Sequence, residues 1–518
     1  MLWPRWIFLR ALGVIFGSAF YSLLFQIHGL IGPHGILPAD SYLAALAATL
    51  PWTARVWTAP TLLWLSASDR ALALLVGAGL LAAVLLTVNI WPRLTAAICT
   101  ILFLSCVAAL QEFSSYQSDG MLLQAGVAAV LLAPRGLHPR LGASSPPPWA
   151  SVWLLRWEWF SIYFGSGLVK LLSGDVQWRT LTAMDHYYEN SPLPSWIGWY
   201  AQQFPHAIHA AMALLTLVVE LVTPWVLLFP RRPRRAIAVL LTVFQIGIIA
   251  TANYAFLNYL VLILAVFLVD DPALVGFGRW LLQRTRRRDA RDARDAYIPV
   301  APSEPRAAVM ARPLGGSSWI GWVSTLVLIG TVYASTLSFL GPAVPVLLSA
   351  PARVVAPFRI ANAYGLFAVM TTAEYEIEFQ GTRDDSVWVA YPFRYKPQDP
   401  GVAPGVYAPY QPRFEWNLWF ASLGPWMETP WVVTTQARLL TNDPHVLALF
   451  ASNPFASAPP RAVRSVLWRY WFTDASTRRR TGRWWNREFL GVYAGTVSNA
   501  PDGSIRFDAA ATPPDSSH

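Results

Sequence analysis

Cysteine is almost absent from this chain, with two in 518 residues, and that scarcity removes several chemistries at once. Cys99 and Cys106 share one apolar run, seven apart and on one helix face. Two turns of helix hold them about 10 Å apart, too far for a disulfide. There is no CxxC pair, so neither thiol redox chemistry nor a structural zinc site finds its ligands. Hydrolase and nucleotide readings lack their motifs too: no GxSxG, no P-loop, and no GxGxxG in a strand-to-helix setting. Charge is thin at 13%, and acidic residues (29) are outnumbered by basic ones (39). The net charge of +10 invites a nucleic-acid reading, but the arginines sit in short connections between apolar runs, which is how membrane topology is encoded. No nucleic acid is therefore expected as a partner.

What is abundant is apolar sequence: 55% hydrophobic residues and a mean hydropathy of +0.38 describe a polytopic membrane protein, with membrane lipids as its first partners. Nine candidate spans are read, near 6–27, 71–90, 95–112, 121–133, 151–172, 207–229, 236–253, 255–269 and 318–341. Those at 121–133 and 255–269 fall short of the ~20 residues of a straight crossing. The first, Trp6 to Ile27, is too long for a signal-peptide core and reads as a retained span. The amphipathic, Trp-rich stretch 41–65, with Pro51 and Pro60, is placed in the interface. If all nine runs cross, Arg5, Arg10, Arg93, Arg135, Arg140, the RRPRR cluster (231–235) and the arginines from Arg279 to Arg312 fall on one side, the cytoplasm. The N-terminus is then cytoplasmic, while the loop 173–206 and everything after 341 lie outside.

The expected organisation is an α-helical bundle over 1–270, a charged cytoplasmic linker over 271–317, a last span at 318–341, and an extracytoplasmic β-rich (α+β) domain over 342–495. Tyr375 to Phe379 alternates with period two, Gly381 to Asp385 turns the chain, and Val387 to Val389 continues extended, a hairpin signature. Strands are also expected at Arg464–Phe472 and Glu488–Tyr493, and helices at Thr429–Leu440 and Pro444–Phe450. The tail 496–518, rich in Pro, Ser, Ala and Asp, reads as disordered.

Four polar residues inside or beside the spans carry the site hypotheses: Asp119, Lys170, Glu220 and Gln245. An ammonium in hydrocarbon costs about 2.5–3.5 kcal/mol on insertion scales. Lys170, one turn after Gly165-Ser166-Gly167, therefore either snorkels to the headgroups or lines a site. Asp119 is expected at the same depth, as its ion-pair partner in an outward-facing cavity. Gln245 is a possible partner for Glu220, as glue between helices. Asp185, His186 and Glu189 on the outer loop do not converge on one helix face, and His206 and His209 sit at a span entrance, so neither a metal nor a cofactor is assigned. In the outer domain Arg394, Lys396, Arg413, Trp416, Trp419, Trp426 and Arg469 are candidates for binding a client polypeptide, since Arg and aromatics dominate interface hot spots. Core packing is the competing reading of the aromatics.

Several motifs carry a resemblance: RIANAYGLFAVMTT (359–372), YPFRYKPQDP (391–400), PYQPRFEWNLWFASLG (409–424), SNPF (452–455), VRSVLWRYWFT (463–473), YQSDGMLLQAGVAAVLLAP (116–134), FGSGLVKLLSGDVQWRTLTAMDHYYENSPLP (164–194), LVVELVTP (217–224) and ATANYAFLNYLVLILAVFLVDD (250–271). Together they strongly resemble the lipase maturation factor family, in order and over nearly the whole chain. The resemblance implies a polytopic protein of the endoplasmic reticulum whose carboxy-terminal domain, in the lumen, assists folding and assembly of secreted homodimeric lipases. Gln124, Tyr410 and Ala252 depart from the family's usual acidic residue, His and Gly. The Arg- and Ala-rich linker looks like high-GC bacterial sequence, which points to a bacterial inner membrane with the domain in the periplasm. GSGLVKL and DVQW also look like the matching segment of vitamin K-dependent γ-carboxylase relatives, where the position of Lys170 is the catalytic base. The favoured function is thus a non-catalytic maturation factor for a secreted client, a lipase by resemblance. The alternatives are a carboxylase-like membrane enzyme using Lys170, and a structural subunit of an envelope or export complex. The sequence leaves the oligomeric state open.

Overall fold

A computed structural model describes residues 1–292, 319–340 and 344–509. The bundle is built from α1 (Leu2–Leu24), α2 (Asp69–Thr87), α3 (Pro92–Ala109), α4 (Gln117–Leu132), α5 (Trp149–Leu172), α6 (His206–Val222), α7 (Arg231–Thr251), α8 (Leu257–Leu264), α9 (Asp271–Asp292) and α10 (Trp319–Phe339). Local chemistry sets their ends. Ser68 caps α2 by accepting from the Ala71 amide, and Pro92 opens α3 at a position where its missing N–H costs nothing. Small residues set the helix spacing: Gly79 lies against the ring of Phe20 and Gly13 against Thr87, so α1 and α2 cross closely. Phe16, Phe20 and Phe103 pack edge-on and stacked in the core beneath them.

All nine apolar runs are helical, yet six helical segments among the described residues are long and apolar enough to cross a membrane, or up to seven with one bent pair. Three runs differ for identifiable reasons. The run at 121–133 forms α4, only 16 residues long and enclosed by its neighbours. The run at 255–269 forms α8 and a 3-10 turn, and the chain then bends by 107° into α9. The run at 151–172 forms α5, which carries Arg156, Glu158 and Lys170, all buried inside the bundle. The stretch 41–65 folds as short helices, Ala39–Thr49 and Trp52–Thr58, broken at Pro51. Of the linker, 271–292 is α9; the remainder up to 318 lies outside the described residues.

The C-terminal module is a five-stranded antiparallel sheet in the order β2-β1-β3-β4-β5, formed by β1 (Glu374–Thr382), β2 (Val389–Ala390), β3 (Ala462–Phe472), β4 (Trp485–Asn499) and β5 (Ile505–Ala509). The helices α11 (Arg413–Ser422) and α12 (Trp431–Leu440) pack against it. The hairpin is present, its turn held by Asp384 accepting from the Ser386 and Val387 amides, both at 3.0 Å. Pairing of β3 with β4 is interrupted by irregularities at Ser465/Val466 and Leu467/Trp468.

The disorder expected from residue 496 gives way to ordered sheet. β4 runs on to Asn499, a turn with Gly503 at φ +82° reverses the chain, and β5 pairs back, seating Phe507 on Trp426 at 5.2 Å. A hairpin needs little hydrophobicity when a Gly-containing turn and one aromatic contact define its register. Residues 510–518 lie outside the description.

The module is keyed into the bundle rather than appended to it. Arg413 grips Asp119 with two parallel bonds, Nη1 to Oδ2 at 2.7 Å and Nη2 to Oδ1 at 2.8 Å, and Nη1 also donates to the Phe113 carbonyl at 2.9 Å. Both side chains are fully buried. Gln26 donates to the Gln411 carbonyl at 2.9 Å, and Tyr364 O–H donates to Gln124 at 2.9 Å. Breaking a buried pair strands a charge, at a cost of about 3–5 kcal/mol, whereas replacing both partners with apolar residues is often neutral. Arg413→Met is therefore expected to lower the thermal midpoint of the detergent-solubilised protein sharply. The double variant Asp119→Leu/Arg413→Met should regain most of the loss. Equal midpoints for the single variant and wild type would remove the pair from its structural role.

Candidate functional site

The end of α5 places Lys170 deep in protein. Gly167 allows α6 to approach so closely that a Cβ there would lie 2.9 Å from Glu220 Cβ. Across that gap Lys170 Nζ meets the Glu220 carboxylate at 2.9 and 2.8 Å, and it also donates to the Leu366 carbonyl at 2.8 Å and the Ser166 carbonyl at 3.4 Å. The rings of Trp178 and Phe367 stand at 5.1 and 6.0 Å. At 1% exposure the side chain does not snorkel. The partners expected from the sequence are thus exchanged: Lys170 pairs with Glu220, and Asp119 with Arg413. The exchange arises because the segment 359–372 threads back into the bundle and delivers Leu366, while α11 delivers Arg413. Gln245 bonds to Tyr163 and Asn258, each at 2.8 Å, in place of Glu220. An ammonium surrounded by acceptors has no free lone pair for proton abstraction, so the Lys170 geometry gives the carboxylase-like reading no support.

The Lys170–Glu220 pair forms part of the wall of a cavity of about 520 Å³ between α5, α6, α7 and α8, roofed by Trp178 and Tyr188 of the outer loop and by Phe367. That loop is tied down at both ends. Asp185 faces His206 Nδ1 at 2.8 Å and His209 Nδ1 at 3.0 Å, while Glu189 accepts from the Phe472 amide at 3.1 Å. Sequence reasoning passed over Glu158, also on α5. It is fully buried and its carboxylate accepts no hydrogen bond among the described residues. The available signal was a carboxylate within an apolar run, the same signal that singled out Glu220.

In the C-terminal module the client-binding candidates divide by burial. Arg413, Lys396, Trp416 and Trp419 are buried: Lys396 forms an ion pair with Glu376, Trp416 packs at 5.4 Å on Tyr116, and Trp419 donates to Glu374 at 2.9 Å. Lys396 and Trp419 satisfy glutamates that β1 carries on a covered face, whereas Arg413 and Trp416 join the module to the bundle. Trp426 is half-buried against Phe507; Arg394 and Arg469 are exposed. The same face of the sheet, where it reaches solvent, shows a half-exposed stripe that the sequence reading did not assemble. Arg464 stacks on Trp388 at 4.0 Å, Arg487 on Trp468 at 4.3 Å, and Phe489 packs edge-on to Trp468 at 5.2 Å. Its signal was hidden by the β3–β4 irregularities, which shift the register of Trp468 against Phe489.

Comparison with known proteins follows the same two parts. Residues 3–275 match the lipase maturation factor transmembrane domain, and residues 360–495 match the lipase maturation factor C-terminal domain. The chain is 32% identical to lipase maturation factor 1 of Bos taurus, over 94% of this chain and 88% of the relative. It is 30% identical to lipase maturation factor 2 of Gallus gallus, over 96% and 81%, and 31% identical to the human lipase maturation factor 1, over 94% and 87%. No solved structure matches.

Burial drives the Glu376 carboxyl up to about 7, against the pull of Lys396. It drives Glu415 up to about 6, against three backbone amides from Arg394, Tyr395 and Lys396. A carboxyl raised on folding makes the folded state the tighter proton binder between its unfolded and folded pKa values, so stability falls as pH rises through that window. The thermal midpoint of the solubilised protein should drop by a few degrees from about pH 5 to about pH 7.5. Glu376→Gln should flatten that drop while lowering the midpoint overall. A midpoint that rises over the same interval would contradict the assignment.

Proposed function

The chain belongs to the lipase maturation factor family, and from that premise we propose that this integral membrane protein holds a secreted polypeptide, by its relatives' names a lipase, while that client folds beside the bilayer. The observation that carries the reading is the rigid display of the arginine–aromatic stripe. Trp388, Arg464, Trp468, Arg487 and Phe489 stand on a sheet that the buried Asp119–Arg413 pair locks to the bundle. A stripe of this composition, pre-positioned, binds an incompletely folded surface with little ordering cost.

The orientation proposed is N-terminus inside and C-terminal module outside. It is supported by the gathering of basic termini at one end of the bundle. The Met1 ammonium meets Asp271 at 2.5 Å, Arg5 donates to the carbonyls of Leu141 and Ser145, each at 2.6 Å, and Arg235 meets Asp270 at 2.6 Å. The module attaches at the other end, through Gln26, Asp119 and Lys170. The proposed home is a bacterial inner membrane, with the module in the periplasm.

Two measurements test these statements. Arg487→Ala/Phe489→Ala should cut capture of a co-expressed secreted lipase about tenfold or more, hot-spot losses being roughly 2 kcal/mol each, with the protein's own level unchanged. Undiminished capture would remove the stripe from the role. A periplasm-dependent phosphatase fused after Ala509 should be active, and activity of only a cytosolic reporter at that point would reverse the orientation.

A further inference from the structure

The cavity beside Lys170 is not used by the client-binding reading, and its inference is independent of that reading. Its volume of about 520 Å³ falls in the range of sites that enclose small molecules, roughly 300–1,000 Å³. It has room for roughly fifteen to twenty groups the size of a methylene. Ile162, Met212, Phe244 and Val261 make its walls apolar. Val243 and Leu215, which line it from α7 and α6, are 64% and 46% exposed. Both helices are apolar enough to span a membrane, so the mouth faces hydrocarbon rather than water. An apolar void open to acyl chains fills with one, because the lining otherwise loses its dispersion contacts. Gly247 lines the same cavity, and a Cβ built there meets nothing within 4 Å.

The polar part of the lining narrows the ligand. Lys170 and Glu220 cancel each other's charge, so the wall offers no net charge to an ionic headgroup. Tyr163 accepts from Gln245 at 2.8 Å and keeps its own O–H for a ligand oxygen. Asn258 holds Gln245 in that orientation from α8 at 2.8 Å. We propose that this cavity is a lipid site that takes one long acyl chain carrying an uncharged ester, laterally from the bilayer, with the ester oxygen bonded by Tyr163 and the chain running between α6 and α7. An acyl ester could come from a monoacylglycerol or from a phospholipid tail; the uncharged head favours the first.

The test uses the full chain in detergent micelles with two photoreactive probes, a monoacylglycerol and a phosphatidylcholine, each with a diazirine in its acyl chain. After irradiation, peptide mapping should place monoacylglycerol adducts on α5, α6 and α7 around Tyr163, Met212 and Phe244. Labelling should fall at least tenfold in Gly247→Phe, which fills the space, and in Val243→Trp at the mouth. It should persist in Gly77→Phe, an equally open glycine on α2 that does not line the cavity. Tyr163→Phe should weaken competition by unlabelled monoacylglycerol several-fold. Adducts spread evenly over the exposed helices, or equal in wild type and both filling variants, would overturn the site. Cavity adducts from the phosphatidylcholine alone would overturn the uncharged head and leave a phospholipid tail as the occupant.

Discussion

A charge that cannot reach water is costly unless it is paired or hydrogen-bonded, and three ion pairs organise this molecule. Arg413 and Asp119, Lys170 and Glu220, and Lys396 and Glu376 meet inside the protein, with only Glu220, at 12% exposure, reaching an edge of it, and the first two pairs join segments far apart in the chain. In a low-dielectric interior a lone ion is prohibitive, so each pair restricts the arrangements in which its segments can pack. The pair at Arg413 is the most constraining. Its bidentate geometry fixes direction as well as distance, and so sets how the sheet sits on the bundle.

The consequence is a membrane protein whose two parts share one interior. The segment 359–372 supplies a carbonyl to Lys170 and side chains to Gln124, and the loop 173–206 in turn supplies Glu189 to β3 and Ser195 to the end of α7. Asn253, in the turn after α7, accepts from the amides of Tyr407 and Ala408. Apart from the side-chain contact of Tyr364 with Gln124, each of these is a backbone group satisfied by a side chain from a distant segment, as expected where loops are too enclosed to be solvated. A platform made this way ties the stripe-bearing sheet to the bundle at several points, while Lys170 and Glu220 form part of the cavity wall.

The helical bundle was legible in the sequence because apolar runs of near-membrane length have one physical meaning; so were the β1–β2 hairpin and the buried, unpaired cysteines. Residues 496–509 were misread as tail because a short edge hairpin has little compositional signature. The stripe was not legible, since it depends on a register shift between β3 and β4 that no periodicity encodes.

By itself the sequence determined which charges stood in apolar surroundings: Asp119, Lys170 and Glu220 each announce a need for a partner through the cost of desolvation, a property of the residue and its neighbours in the chain. Only the tertiary structure decided who met whom. Lys170 found Glu220 and Asp119 found Arg413 because Gly167 admits α6 and because α11 returns to the bundle 294 residues after Asp119. Partner choice is a matter of three-dimensional distance, and a one-dimensional pattern carries the demand for neutralisation without its address.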